Sequence, residues 1–481
     1  MLFRSSNICS NQSFVATVAG AVLLCRGDEG LEQILEKSRE NTLKALKLLL
    51  EIPGVQLAFP TSPFFNEVTL EIDHPIKPLL AKGREQGLEL GVDVSHRLSS
   101  LNRNLLMIQF TDKHDHEDLI KLVNFIKSQV SGTSVKAAKI SSLPEAYLRQ
   151  NRPGLPKFAP EQIEGYYKKL GDQNISPDQG PYPLGSCTMK YNPYINDYCA
   201  SLSGFTDLHP QADTENAQGA LEILWEIQET FKIMLGLSAV TTQPVAGAQG
   251  ELVGIKMFQA YHRDHSQHQR DILLIPRSSH GTNYATATVA GFQPGPHNRD
   301  AGLKLIEADE TGQIDQNQLR ELVKQYGERI AGIMITNPNT SGIMENHFKE
   351  VADLIHSVGG LVYMDGANLN AVSGWLDLGT LGVDAVHSNL HKTFSIPHGG
   401  GGPGDAIVAV SEKLKNYLPG VQITKDGNYF QTVKPERSIG SFHRHFGNFA
   451  HKVRCYTYLR ALGPEGLRRM SSIAEIGRAH V

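Results

Sequence analysis

Residues 384–404 read DAVHSNLHKTFSIPHGGGGPG. A short apolar run ends in polar residues, meets His391 and Lys392, and is followed by four consecutive glycines, Gly399 to Gly402. A lysine placed where a buried strand runs out is partly desolvated, which favours the neutral amine and lets it form a Schiff base. The glycines admit φ > 0 and let backbone approach a bound group closely. Taken alone, the stretch describes equally well a strand end with an ordinary surface lysine. The neighbouring chain has to decide.

Upstream, helix and strand patterns alternate from about residue 215. Ala217–Leu235, Gly250–Tyr261 and Ile314–Tyr326 have helical spacing, and Asp271–Ile275, Ile330–Ile335, Leu361–Met364 and Ala385–Val386 are short apolar runs. That alternation predicts an α/β domain with a mostly parallel sheet and helices on both faces. Ligands of such sheets bind outside the carboxyl ends of the strands, and the chemically promising residues fall there. Asp365 follows LVYM, and Lys392 lies 27 residues on (392 − 365), room for a crossover helix over Trp375–Leu381 and the next strand. The turn QPVAGAQG (243–250) opens a helix, so the backbone around Ala248 and Gln249 can hold a phosphate. His280, in SSHGTN, can lie on a flat ring, and Asn337, in TNPNTSG, can hydrogen-bond a ring oxygen.

Each has a plainer reading: a helix-capping Asp, a small-residue turn, a loop histidine. Their succession is more telling. A phosphate turn, a stacking His, an Asn, an Asp and a Lys at successive strand ends suit pyridoxal phosphate, whose protonated ring nitrogen needs a carboxylate and whose aldehyde needs an amine.

The rest of the chain sets bounds. With 481 residues it exceeds one core, and a net charge of −4, from 46 basic and 50 acidic residues, offers no nucleic-acid surface or polybasic membrane anchor. Five scattered cysteines without metal-ligand spacing fit a reducing compartment, and the expected location is cytoplasmic, or the mitochondrial matrix in a eukaryote. Residues 1–130 read as a small α+β domain: two helices over 12–51 broken near Gly27 and Gly30, strands at 68–72 and 105–110, helices at 76–87 and 115–130. The apolar run near residues 14–25 resembles a secretory signal but lacks a cleavage site, and is read as a buried helix. Residues 131–160 have the composition of a linker, 161–460 form the large domain, and 461–474 begin a second small domain. GDEGL (27–31) recurs as GPEGL (463–467), an echo that fits a duplicated protein. EIGRAHV (475–481) resembles a translated sequencing adapter and is expected to be an artefact. Cys187 reads as structural, and His262, His265 and His268 as a solvated helix end, not a metal site. His443 and His445 are placed at the mouth of the cleft.

Together PYPLGSCTMKYNP (181–193), QPVAGAQGE (243–251), HGTN (280–283), TNPNTSG (336–342), YMDGANLNA (363–371) and SNLHKTFSIPHGGGGPG (388–404) resemble the glycine decarboxylase P-protein of the glycine cleavage system, a fold-type I pyridoxal-phosphate enzyme. SNICSNQ (6–12) and FFNE (64–67) are similar to the end of that family's first half, so the chain is expected to join that end to most of the second half. The resemblance implies glycine as substrate, release of carbon dioxide, transfer of the aminomethyl group to the lipoyl arm of an H-protein, and a partner half or dimer mate completing the site. It implies pyridoxal phosphate in Schiff-base linkage to Lys392, with Asp365, His280, Ala248 and Gln249 as cofactor contacts, Ala367 under the ring and His391 near the substrate. Other readings are a fold-type I decarboxylase or aminotransferase acting on a free amino acid, and a non-catalytic fragment that binds partners only. No metal, nucleic acid or membrane is expected.

Overall fold

The computed structural model describes residues 13–132, 140–142, 144–175, 192–209, 212–294, 300–397, 404–443 and 445–479. The chain divides into two compact units, one of residues 18–173 and the other of the remaining residues.

The unit of residues 18–173 contains α1 (Ser13–Leu49, which begins before it), β1 (Val55–Leu57), β2 (Glu67–Ile72), α2 (Ile76–Glu85), β3 (Val92–Asp93), β4 (Leu105–Gln109), α3 (His116–Gln129) and α4 (Pro160–Gly171). Its antiparallel sheet runs β1-β2-β4-β3. The alternation in β2 explains its seat: Val68, Leu70 and Ile72 are buried with Leu46, Leu79 and Ile126, while Glu67 faces out. A reciprocal cap starts α3, with Asp118 N–H donating to Asp115 Oδ1 at 2.9 Å and Asp115 N–H to Asp118 Oδ2 at 3.0 Å.

Two expectations change here. The first turns of α1 are helical but not buried, since Val18, Val22 and Leu23 are 47%, 50% and 41% exposed among the described residues. The segment expected as a free linker is also tied down over its described part. Phe158 N–H donates to Leu24 O at 2.9 Å, Gly154 N–H to Asp28 Oδ2 at 2.8 Å, and Arg152 pairs with Glu32, so this unit runs on to residue 173. The linker expectation for 133–139 and 143 lies outside the described residues.

The second unit holds α5 (Tyr194–Ala200), α6 (Ser203–Thr206), α7 (Gln218–Leu235), β5 (Ala239–Thr241), α8 (Gly247–Asp264), β6 (Ile272–Pro276), α9 (Gly281–Ala290), β7 (Gly302–Ile306), α10 (Gln316–Tyr326), β8 (Ile330–Thr336), α11 (Phe348–Ser357), β9 (Leu361–Gly366), β10 (Ala385–Asn389), α12 (Leu390–Thr393), β11 (Ala406–Val410), the hairpin β12 (Gln422–Asp426) and β13 (Tyr429–Val433), and α13 (Phe449–Ala479). Seven strands form one sheet in the order β5-β11-β10-β9-β8-β6-β7. Only β11 runs against its neighbours, so β5, β6, β8, β9 and β10 all deliver their carboxyl ends to one edge. Every residue of β6 is buried: Ile272 and Leu274 face the layer of α7, α10 and α11, while Leu273 and Ile275 face α8 and α9. This two-sided burial is why the strands read as continuous apolar runs.

The crossover from β9 to β10 is not the expected helix. A 3-10 turn at Leu369–Ala371 is followed by turns in which Gly374 and Gly382 take φ of 78° and 88°. Asp377 Oδ1 accepts the Thr380 N–H at 2.9 Å, a local bond that competes with helix formation, and Leu378 N–H is drawn to Leu235 O. The echoed sequences share one backbone form: Gly27 breaks α1 at φ 59°, ψ −173°, and Gly463 breaks α13 at φ 63°, ψ −179°. Only glycine adopts that region without strain. Gly30, by contrast, continues the helix.

Candidate active site

Register across the central strands builds the site. Thr336 on β8, Asp365 on β9 and His387 on β10 are lateral partners in parallel pairing, so three polar side chains meet on one face of an otherwise apolar sheet. That face carries α8, whose glycines allow close approach. A Cβ at Gly250 would lie 2.8 Å from His387 Cβ, and one at Gly254 would lie 2.3 Å from the Tyr363 ring.

Asp365 is wholly buried, and its charge is held by donors. Oδ1 accepts the Ala367 N–H at 2.9 Å, and Oδ2 accepts from Asn283 Nδ2 at 3.1 Å, with Thr336 Oγ1 at 3.2 Å. His387 Nε2 stands 3.3 Å from Oδ1. Burial pushes the Asp365 carboxyl upward, but His387, His280, Lys392 and the Ala367 N–H outweigh it and leave it below its ordinary value. Tyr363 Oη lies 2.7 Å from His387 Nδ1; Nε2 faces the Asp365 carboxylate, which can only accept, so Nδ1 is left to accept from the phenol O–H. Burial also pushes the His387 imidazole below its ordinary value and holds it neutral.

The other expected residues surround this group. Lys392 sits on α12 directly beyond β10, half-buried, and interacts electrostatically with Asp365, His280, His387 and Glu251. His280 caps α9: Nδ1 accepts the Thr282 N–H at 3.2 Å and its own N–H donates to Thr336 Oγ1 at 2.9 Å. Burial pushes the imidazole below its ordinary value. Ala367 is buried, two residues past Asp365, with its N–H on that carboxylate. Asn337 Oδ1 accepts the Glu345 N–H at 3.0 Å, and the Asn337–Pro338 peptide is cis. Ala248 and Gln249 lie in the first turn of α8. The Gln249 side chain is engaged, Oε1 accepting from Val245 N and Nε2 donating to Phe442 O; what this turn offers an anion is therefore backbone N–H.

The His391 ring is buried against the start of β11, with Nδ1 accepting the Asp405 N–H at 3.2 Å and Nε2 3.4 Å from Asn389 Nδ2. His443 and His445 line a cavity of about 810 Å³ with Leu221, Leu224, Phe446 and Phe449. The stretch 181–191, with Cys187, and the glycines 399–402 lie outside the described residues. His262 departs from expectation: it is buried, its Nε2 2.7 Å from Ala331 O and its Nδ1 2.9 Å from Gln267 Oε1, so it is a core tie and not solvated surface.

Sequence reasoning passed over Glu251, Asn283, Thr286, Thr336, Tyr363 and His387. The signal was present for His387, a polar residue inside the apolar run AVHSN, because a buried polar group demands partners.

The expected cofactor fits these residues. Asn337 Nδ2, Ser388 Oγ, Asn389 Oδ1 and Thr393 Oγ1 are buried polar atoms without a partner, all beyond β8 or around Lys392. Buried polar atoms are rarely left so, and a polar ligand at the strand ends would satisfy them.

Comparison with known proteins agrees. The family model described as glycine cleavage system P-protein matches residues 203–432. Over 356 residues the chain is 41% identical to proteins named probable glycine dehydrogenase (decarboxylating) subunit 2 from Staphylococcus aureus strains JH9 and Mu50 / ATCC 700699, covering 74% of this chain and 69% of each relative. A crystal structure of glycine decarboxylase (P-protein) of the glycine cleavage system, in inhibitor-bound form, superposes with a TM-score of 0.54 at 20% identity, covering 74% of this chain and 78% of that one, which shows the shared fold.

Proposed function

The chain belongs to the glycine cleavage system P-protein family, and from that premise we propose that it decarboxylates glycine with pyridoxal phosphate and passes the aminomethyl group to the lipoyl arm of an H-protein. The observation that carries this reading is the placement of Lys392, Asp365 and His280 at one sheet edge, in one electrostatic neighbourhood, beside unpartnered buried polar atoms.

When bound, the cofactor supplies an electron sink for the carbon that loses carboxylate. The protein's part follows from its own groups. The Lys392 amine is the group available for covalent attachment, standing near Asp365 and neutral His280. Asp365 is fixed by three classes of donor, so its negative charge stays put and can hold a proton on a ring nitrogen. His280 supplies a flat neutral face, and Asn337 Nδ2 a free donor for a ring oxygen. The first-turn N–H groups of α8, near Ala248 and Gln249, suit the phosphate. His391 braces the turn that carries Lys392 against β11.

Support for the lipoyl arm is the 810 Å³ cavity, apolar along Leu221, Leu224, Phe446 and Phe449. Phe442, next in sequence to the lining His443, is tied to the turn around the start of α8, its O accepting from Gln249 Nε2 and its N–H donating to Gln243 Oε1. A partner subunit, as the name "subunit 2" of the relatives suggests, would complete the assembly. Among the described residues no helix is long and apolar enough to cross a membrane.

The test is exchange of labelled bicarbonate into glycine by the purified chain, alone and with its partner subunit. Exchange that depends on lipoylated H-protein and is lost in Lys392→Ala supports the reading. Decarboxylation of glycine or another amino acid without H-protein would instead favour a free-substrate decarboxylase.

A further inference from the structure

Behind Asp365 lies a second buried carboxyl that the mechanism above does not use. Glu251, on α8, is 2% exposed, and its carboxyl, the Asp365 carboxyl and a ring nitrogen of His387 all offer atoms within 4.8 Å of one another. Asn283 stands between the two acids: its Nδ2 donates to Asp365 Oδ2 at 3.1 Å, its Oδ1 accepts from Thr336 Oγ1 at 2.9 Å, and its amide lies near enough to Glu251 to draw that carboxyl down. Thr286 Oγ1 donates to Glu251 Oε2 at 2.9 Å.

Two carboxylates cannot both stay ionised at this separation in a dry interior. The donors decide which keeps the charge. Asp365 receives the Ala367 N–H, the Asn283 amide and His387 Nε2, and Lys392 stands nearby. Glu251 receives Thr286, with the Asn283 amide beside it. The groups facing it are Thr286 and Asn283 from α9, Tyr363 and Asp365 from β9, His387 from β10 and Lys392 from α12; burial keeps His387 neutral, and the pull of Lys392 on the Glu251 carboxyl is smaller than the push of burial and Asp365.

We propose that Glu251 is held as a neutral carboxylic acid and, through Asn283, confines the single negative charge of this cluster to Asp365, making it a positioning residue for that carboxylate. The burial of Glu251 and the charge of Asp365 both push its carboxyl well above the ordinary range, in keeping with this geometry. The protonation of Glu251 stands on this chain alone; its bearing on catalysis rests on the cofactor reading above.

Infrared difference spectroscopy on the full chain as purified, at neutral pH, tests it. A carbonyl stretch of a protonated carboxylic acid is expected in the unsubstituted protein and absent in Glu251→Gln. In Thr286→Val the same band is expected to move to higher frequency, because the carbonyl loses its donor; this arm decides the matter if Glu251→Gln does not fold. Glu251→Ala, which removes the neutral acid, is expected to weaken pyridoxal phosphate affinity by about tenfold and shift the pH profile of the visible absorbance, and Glu251→Gln, neutral and of similar shape, to restore both. No acid band, or a band untouched by both Glu251→Gln and Thr286→Val, overturns the protonation assignment. A folded Glu251→Ala protein with the affinity and pH profile of the unsubstituted protein, or a Glu251→Gln protein no better than Glu251→Ala, overturns the positioning role. Failure of the unsubstituted protein to bind pyridoxal phosphate would defeat the cofactor reading while leaving the infrared result to stand alone.

Discussion

Lys452 Nζ donates to Asp405 Oδ2 at 2.6 Å, and neither side chain is exposed at all. The pair joins α13 to the start of β11, where Asp405 N–H also holds the His391 ring, so it supports the turn carrying Lys392. Lys452 further donates to Ala406 O at 2.9 Å, and Ala406 N–H to Asp405 Oδ1 at 3.0 Å. Breaking a buried pair leaves one uncompensated charge, which costs about 3–5 kcal/mol, whereas replacing both partners by apolar groups is often neutral. Lys452→Met is therefore expected to destabilise by that order, and Lys452→Met/Asp405→Leu to recover most of the loss, as read by denaturant unfolding.

The same pair sets a pH dependence. Burial raises the Asp405 carboxyl to about 6, against the lowering influence of Lys452. A carboxyl whose folded value is raised contributes stability fully present below its unfolded value, about 4, and lost as pH rises through its folded value. Between pH of about 4 and 6 this group alone is expected to lower the unfolding free energy by about 3 kcal/mol. Asp405→Asn should flatten that part of the stability profile; an unchanged slope would remove Asp405 as its source.

Gly254 illustrates how the helix α8 reaches the sheet. A Cβ there would lie 2.3 Å from Tyr363 Cε2, and the ring cannot swing aside because its hydroxyl is tied to His387. Gly254→Ala is expected to cost about 1–3 kcal/mol through overpacking. It should also disturb the His387 imidazole, which nuclear magnetic resonance of the ring protons would detect.

Much of this site was legible because strand ends announce themselves. Asp365 after LVYM and Lys392 after AVHSNLH both terminate apolar runs, and sheet topology then guarantees that neighbouring parallel strands deliver them to one edge. What the sequence does not carry is lateral register. Thr336, Asp365 and His387 are 29 (365 − 336) and 22 (387 − 365) residues apart, and only the pairing of β8, β9 and β10 makes them neighbours. The same is true of Glu251, whose role depends on which face of α8 meets the sheet. Adjacency leaves the surroundings of His391 open: next to Lys392 on a short helix, its ring is met by the Asp405 N–H at the start of β11. The Trp375–Leu381 crossover misled by length, since 27 residues suffice for a helix but local turn bonds took them.

His280 is neutral because burial pushes its imidazole below the ordinary value, and its Nδ1 is committed to the Thr282 N–H. A stacking face needs shape more than charge. His280→Phe is expected to keep pyridoxal phosphate affinity within about threefold, while His280→Ala should lose about fivefold or more, the loss of one aromatic contact worth roughly 1 kcal/mol. Equilibrium titration of the visible absorbance checks both; equal losses would assign His280 to proton chemistry instead.

Asp365→Asn separates charge from packing at the centre of the site. The amide keeps the shape and can still accept the Ala367 N–H, so the sheet edge should fold, but it holds no negative charge near Lys392 and Asn283. A ring nitrogen facing an amide has no carboxylate to keep it protonated. Glycine-dependent exchange is expected to fall by at least about a hundredfold, the lower range for a positioned proton-holding group, with cofactor occupancy largely kept. Stability reports independently. The Asp365 carboxyl lies below its ordinary value, burial opposing and His387, His280, Lys392 and the Ala367 N–H prevailing. Its contribution is therefore present above the unfolded value, about 3.9, and is lost as pH falls through the lower folded value. Asp365→Asn should remove that acid limb from the unfolding profile. Full exchange activity in the folded variant would show that some other group anchors the ring nitrogen.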